Sequence, residues 1–539
     1  MELSKKGIAD RTAFEQKGYA LPQFDREEMI AKTKKAPHWI HFGAGNIFRA
    51  FQANVMQELL NKGIMDTGLL VTEGFDYEII EKMNRPHDDL SILVTLKADG
   101  SIEKTVVGSI AESLILDSHR ETELARLKEV FENPSLQMAS FTITEKGYSL
   151  VNGKGELLPV VSADFVNGPS RCESYIGKVA SLLYYRYLHD KLPIAMVSMD
   201  NCSHNGDKLK AAVTAFADAW VGNGLAEEGF ARYVHDGSRV SFPWTMIDKI
   251  TPSPDMTVGA MLEKDGLHGF TPVRNERGTV TAPYVNAEET EYLVIEDSFP
   301  NGRLPLDKTG IIYTDRATVD KVERMKVTTC LNPLHTALAV LGCLLGYKRI
   351  YEEMRDDDLR RLVERIGYVE GMPVVTNPGV LDPRAFLDAV LNERLPNPYI
   401  PDMPQRIACD TSQKIPVRFG ETIKAYIASD SLELSSLRAI PFAIAAWLRY
   451  LLAADDELSP MELSDDPRIP ELQEKLAGIE VGKPESCAGQ LDAILSDASI
   501  FGADLCKAGL SGTVEGFFKQ MLTGRGAVRS ALHELVESF

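Results

Sequence analysis

Gly43-Ala44-Gly45 stands between a short apolar run, Trp39-Ile40-His41-Phe42, and a segment where Phe51, Val55, Met56, Leu59 and Leu60 recur at helical spacing. Gly63 then acts as a stop. A glycine turn between a strand and a helix is suited to holding a pyrophosphate. The first glycine permits the tight turn, the second lets backbone approach the phosphates, and the helix N-terminus attracts their charge. Gly43, Gly45, Asn46, Ile47 and Phe48 are therefore candidate cofactor-binding residues. The usual third glycine is absent, with Phe48 in its place, so the fingerprint is incomplete. Glu73 ends the next apolar run, Leu69-Leu70-Val71-Thr72, at about the distance of a ribose-binding acid. A carboxylate there favours NAD, because it would repel the 2′-phosphate of NADP. The alternative is that Glu73 only caps a turn.

Stepping along the chain, further strand candidates are Ser91–Leu96, Lys104–Ile110, Met138–Ile143 and Ala195–Met199, the last running into Asp200-Asn201. Helical stretches cover Ser174–His189 and Lys208–Trp220. This alternation predicts a Rossmann-type, doubly wound α/β sheet. From about residue 320 long amphipathic segments dominate, from Val319–Tyr347 to Gly512–Leu522, and predict a mostly α-helical second domain. The boundary is placed near 315, giving domains 1–315 and 316–539. The first 36 residues read as a polar surface leader or arm.

With 539 residues the chain is long enough for two domains. A net charge of −20 argues against nucleic acid as the main partner. The seven cysteines are scattered, with no CxxC pair and no zinc spacing, so neither disulfides nor a metal is expected. No secretory leader is legible, and the longest apolar stretches fall short of the roughly 20 residues of a membrane span. The expectation is a cytoplasmic protein with a small-molecule partner and no membrane.

The segment His41–Ala53, HFGAGNIFRAFQA, resembles the opening of the polyol-specific long-chain dehydrogenases, the mannitol dehydrogenase family. Four further segments resemble it in the same order: Thr144–Tyr148, Ser198–Asn201 running on to His204-Asn205-Gly206, Phe242–Pro252, and Asp410–Lys414. The likeness covers about residues 38–535. It implies a Rossmann-type domain, a helical domain, catalysis in the cleft between them, a nicotinamide cofactor, a lysine general base and no metal. By motif match it adds Thr144, Glu145, Lys146 and Asp200 to the cofactor set.

The same resemblance points to the segment Glu323–His335. Lys326, Asn332 and His335 match the family's lysine, asparagine and histidine, and Glu323 matches a glutamate associated with proton movement. The chemistry suits these types. Oxidising an alcohol removes its hydroxyl proton as hydride leaves carbon. A lysine serves as base only if its pKa falls from about 10.4 towards 7–8. Asn201 and Asn332 would donate N–H to the oxygen as charge develops. His335 would hydrogen-bond that oxygen or a neighbouring hydroxyl. Asp248, Arg406 and Lys414 match substrate contacts, and Arg49 joins them. Alternatively, Arg406 and Lys414 form structural salt bridges with Asp402 or Asp410.

One departure has structural consequences. The family has four residues between lysine and asparagine, whereas five lie between Lys326 and Asn332. On a regular helix one extra residue rotates all that follows by about 100°. A π-bulge absorbs such a residue, and Pro333 disturbs the preceding turn. A bulge or break is therefore predicted between Val327 and Asn332.

The resemblance implies NAD-dependent interconversion of a keto sugar acid and its alcohol, with D-fructuronate and D-mannonate the expected pair. Tagaturonate or a neutral polyol such as mannitol is the alternative. A reading from another class is a nucleotide-binding regulatory protein without activity, supported only by the altered spacing. A zinc alcohol dehydrogenase is disfavoured by the missing ligands. A short-chain dehydrogenase is disfavoured by length and the lack of a placed YxxxK.

Overall fold

Trp39 and Ile40 are adjacent in one strand, and both are fully buried in the computed structural model, which describes all 539 residues. A strand buried on both faces belongs inside a parallel sheet covered by helices. Six strands form that sheet: β1 (Trp39–Phe42), β2 (Leu69–Glu73), β3 (Ile110–Ile115), β4 (Met138–Phe141), β5 (Ile194–Ser198) and β6 (Val240–Ser241). All pair in parallel, in the order β3-β2-β1-β4-β5-β6. Trp39, Leu69, Val71, Met138 and Val197 enter one core with the helix Ala53–Asn61. Ile40, Leu70, Ala139 and Met196 enter the other with helices Glu121–Glu132, Tyr175–Leu188 and Asn205–Gly222. The sheet is doubly wound, and its order reverses between β1 and β4, where such sheets bind ligands beyond the carboxyl ends of their strands.

The chain divides into two compact units, Met1–Asp320 and Lys321–Phe539, the division falling inside the helix Arg316–Met325. Unit 1 holds more β-structure than the sequence predicts. The run expected as one strand, Lys104–Ile110, breaks at Gly108. Ile102–Val107 joins a four-stranded mixed sheet, and the next strand, β3, joins the parallel one. The first 36 residues are not an arm. Tyr19–Ala20 pairs in parallel with Ile102–Val107, and Phe14, Tyr19 and Leu21 enter a third core with Ile92, Val94 and Tyr284. Leu3, Phe14, Tyr19, Leu21 and Met29 are all buried, which a polar average conceals.

Unit 2 is helical, and its most buried elements are Asn332–Leu345 and Ala439–Tyr450. The helical run Arg316–Leu345 is long and apolar enough to span a membrane, but 83% of its most apolar window is buried inside the protein. The expected irregularity is present. Lys326–Cys330 is π-helical, and the Leu331 N–H donates to the Lys326 carbonyl five residues back at 3.0 Å. Leu331 then leaves helical geometry (φ −129°, ψ −60°), and a new helix starts with Asn332-Pro333. All seven cysteines are unpaired.

Two buried carboxyls in unit 2 have opposite surroundings. Glu370 caps the helix Ala439–Tyr450, accepting the N–H groups of Arg438, Ala439 and Ile440 at 2.8, 2.7 and 2.9 Å. Glu353 is fully buried beside Gly342, and neither of its oxygens has a hydrogen-bond partner. Burial pushes its pKa well above the ordinary glutamate range. An acid raised in this way costs stability that is absent below its unfolded pKa and grows as pH rises towards its folded pKa. Glu353→Met therefore stabilises the protein by about 1–3 kcal/mol at pH 8 and by less at pH 5. Glu370→Ala destabilises by about 2–3 kcal/mol. Urea unfolding midpoints of both variants at the two pH values check this; a destabilised Glu353→Met counts against it.

Candidate active site

In unit 1 the turn after β1 is shaped by contacts that leave little freedom. Gly43 has φ +106°, and a Cβ there would lie 2.3 Å from the Thr142 carbonyl oxygen. Only glycine fits both conditions. At Gly45 a Cβ would meet nothing within 4 Å, so this face of the turn is open. The N–H groups of Gly45, Asn46 and Ile47 find no acceptor in the protein, while Gly43 and Ala44 donate to the Thr72 carbonyl and to Glu73. An open concavity with three free N–H groups at a helix start fits a pyrophosphate. The helix it opens is π-helical over Phe48–Gln52 before becoming α-helical.

Glu73 stands at the end of β2 and is spent on backbone. One oxygen accepts the Ala44 N–H at 2.9 Å, and the other accepts the N–H groups of Phe75 and Asp76 at 2.9 and 3.2 Å. Burial pushes its pKa up against these donors. The capping role is thus real, and it ties the glycine turn to the neighbouring strand. Phe48 is fully buried and stacks on His41, with ring centroids 4.5 Å apart, so its side chain serves the core. Arg49, expected among the substrate contacts, is 1% exposed and donates to the Ala282 carbonyl and to Asn46 Oδ1 at 2.6 and 2.9 Å. The structure makes it an internal strut. Asn46 also donates to the Pro252 carbonyl at 3.2 Å.

The ends of β4 and β5 are joined by Asp200. It accepts the N–H groups of Ile143 and Thr144, each at 2.9 Å, and the Tyr148 hydroxyl at 2.5 Å. Burial pushes its pKa up, against those three donors. Asp200 therefore holds the Thr144–Gly147 turn, in which Thr144 adopts φ +64°. Glu145 pairs with Lys208, and Lys146 is exposed. These three, with Tyr148, line an open cleft of about 530 Å³. Asn201 follows Asp200 and is exposed. Asn205, quoted in the motif but given no role by the sequence reading, is fully buried. Its amide donates to the Asp200 and Thr245 carbonyls and to Thr245 Oγ1, and its Oδ1 accepts the Thr245 N–H. It fixes the strand that ends in Asp248, itself 5% exposed.

In unit 2 Lys326 is 3% exposed and opens the π-helical turn. Glu323, one turn earlier, is half-buried. Asn332 is half-buried, and its side-chain amide has no partner. His335 Nε2 lies 3.7 Å from Asp402. The salt bridges considered for Arg406 and Lys414 do not form with Asp402 or Asp410. Asp402 stands beside His335 instead. Arg406 is exposed and makes no ion pair. Lys414 donates to the carbonyls of Ile407 and Cys409, and burial, reinforced by Arg418, pushes its pKa down. Arg418, not foreseen, donates to Thr336 Oγ1 at 2.7 Å. Its only sequence signal is its place one turn after Lys414.

The family model of the mannitol dehydrogenase Rossmann domain matches residues 37–308, and that of the mannitol dehydrogenase C-terminal domain matches residues 318–522. The chain is 51% identical over 539 residues to the D-mannonate oxidoreductase of Thermotoga maritima, covering 99% of each. It is 28% identical over 516 residues to the D-mannonate oxidoreductase of Escherichia coli, covering 94% of this chain and 96% of that protein. Among solved structures, the Pseudomonas fluorescens mannitol 2-dehydrogenase, in a ternary complex with NAD and D-mannitol, aligns with a TM-score of 0.68 at 25% identity over the whole of both chains. A substrate-free D-sorbitol dehydrogenase shares the fold, with a TM-score of 0.78 at 24% identity over 96% of this chain and 97% of that one.

The two glycines separate folding from binding. Gly43→Ala collides with backbone and lowers the melting temperature. Gly45→Ala leaves the melting temperature within about 2 °C but puts a methyl group into the open face and weakens NADH binding by about 10-fold or more. Thermal melts with fluorescence titration of NADH check both; unchanged affinity in Gly45→Ala removes the turn from the cofactor site.

Proposed function

This chain belongs to the mannitol dehydrogenase family and is an oxidoreductase acting on a CH–OH group with a nicotinamide cofactor; from that premise we propose that it interconverts D-fructuronate and D-mannonate, using NAD. The observation that carries the substrate is the 51% identity, end to end, with a protein named D-mannonate oxidoreductase. The choice of NAD rests on Glu73, whose carboxylate at the end of β2 opposes a 2′-phosphate, and on the NAD held by the mannitol 2-dehydrogenase of like fold.

When bound, the nicotinamide supplies hydride to the keto carbon or takes it from the alcohol carbon. Gly45, Asn46 and Ile47 offer their free N–H groups to the pyrophosphate. Lys326 gives the proton to the substrate oxygen in reduction and removes it in oxidation. Its burial suits the task, because an amine shielded from water exchanges its proton with the substrate rather than the solvent. Glu323, half-buried one turn earlier, links that amine to solvent. Asn332 keeps an uncommitted amide for the oxygen on which charge develops, a role the family resemblance also gives to Asn201. Asp402 orients the His335 ring, whose other nitrogen donates to that oxygen or the adjacent hydroxyl. Asp248, Arg406 and Lys414 contact the rest of the substrate. Thr144, Glu145 and Lys146 flank the cofactor on a turn positioned by Asp200.

Two measurements test this. In a panel of NADH and NADPH against fructuronate, tagaturonate and fructose, the largest kcat/KM belongs to NADH with fructuronate. Fast fructose reduction with neither uronate consumed rejects the substrate assignment. NADH binding without turnover on any keto sugar would favour a regulatory protein instead. Lys326→Ala lowers kcat by about 10³-fold or more while the Kd for NADH stays within about threefold. Equal loss of binding and turnover would make the lysine structural.

A further inference from the structure

Two fully buried arginines, Arg186 and Arg449, are wrapped in carbonyl acceptors, whereas the half-buried Arg418 is not. Arg186 donates to the carbonyls of Leu192, Phe131, Asn133, Leu136 and Pro193. Arg449 donates to those of Met521, Ala454 and Asp455. Arg418 has one partner, Thr336 Oγ1 at 2.7 Å, and no ion pair. Its Nε and second terminal nitrogen make no hydrogen bond, yet neither is sealed from solvent. Burial pushes its pKa down to about 10, and no carboxylate pulls it back. A desolvated guanidinium with open donors is unfavourable until an anion completes it.

Its position says which anion. Arg418 ends the helix Thr411–Arg418, which packs against both the π-helical turn of Lys326 and the helix Asn332–Leu345. The Thr336 hydroxyl that accepts from Arg418 donates in turn to the Asn332 carbonyl at 3.0 Å. Arg418 is thus two hydrogen bonds from the residue assigned to the reacting oxygen. Lys414, one turn earlier on the same face, is held by the Ile407 and Cys409 carbonyls and adds a second cation. In a chain of net charge −20 these two positive groups lie close enough to repel; Asp410 and Asp466 offset the charge of Lys414, whereas no carboxylate acts on Arg418. A planar carboxylate matches the free edge of a guanidinium in two parallel hydrogen bonds, which a hydroxyl cannot do.

We propose that Arg418 reads the carboxylate of the substrate and so selects a sugar acid over a neutral polyol. The inference rests on the reading of the chain as a keto sugar acid reductase. Lys414 supplies the supporting charge, and Thr336 holds the guanidinium in place.

The test uses the full chain with NADH and compares fructuronate with fructose, which lacks the carboxylate. In Arg418→Met, kcat/KM for fructuronate falls about 100-fold, chiefly through KM. Fructose reduction stays within about threefold of wild type, and so does NADH affinity. Arg418→Lys recovers only part of the loss, because an ammonium lacks the planar fork. Thr336→Val removes the internal acceptor but keeps the charge, and it retains the preference for fructuronate. Equal loss on both substrates in Arg418→Met would show a merely structural arginine and overturn the proposal, as would an undiminished preference for fructuronate. A wild-type protein that reduces no keto sugar acid at all would instead sink the functional reading on which this rests.

Discussion

The hydrogen bond from the Leu331 N–H to the Lys326 carbonyl closes a turn over five residues, one more than an α-helix allows. Most of what unit 2 offers to chemistry depends on that wider turn. It absorbs the residue that would otherwise rotate Asn332 and His335 away. It also ends the first helix at Leu331, so the second begins at Asn332-Pro333, where a proline's missing N–H costs nothing. Asn332, His335 and Thr336 then lie in the first turn of a helix whose later residues, from Ala337 to Leu344, are buried. Polar groups on such an anchored element keep their geometry better than groups on a loop.

Unit 1 reaches a comparable precision with carboxylates that accept backbone N–H groups. Glu73 ties the glycine turn to β2, and Asp200 ties the Thr144 turn to β5. Both acids stand at the carboxyl ends of strands and both are mostly used up internally. What remains unpaired at the switch point is the set of N–H groups at Gly45, Asn46 and Ile47, a donor surface with no side-chain charge of its own. An acidic protein can therefore hold a pyrophosphate, because recognition is made by local dipoles rather than by the average field.

The same contrast runs through the buried ionisable groups. Arg49 is satisfied at both terminal nitrogens, and Glu370 caps a helix, so each links elements together. Glu353 and Arg418 do not have that cover. The acid can go neutral, because burial alone favours its protonated form. The guanidinium has no such exit at neutral pH, so its open donors call for an anion.

The amino-acid sequence by itself determined the doubly wound sheet and the helical unit, since β1, β2, β4 and β5 are predominantly apolar and the later segments repeat at helical period. Set beside the spacing of the family it resembles, it also indicated where the lysine helix is irregular, because one residue more than that spacing cannot be hidden in a regular helix. Local pattern did not reach the mixed sheet built on Tyr19–Ala20, because a two-residue strand has no period and gains its stability only from partners distant in the chain. Nor did it separate Phe48 and Arg49, read as contacts, from the core residues they are. The facing of a side chain next to a π-helical turn depends on what packs against it, not on its neighbours in sequence. The roles of Asn205, Asp402 and Arg418 were hidden for the same reason. Each takes its role from an atom far along the chain, at Thr245, His335 and Thr336, and only the folded structure brings those atoms within reach.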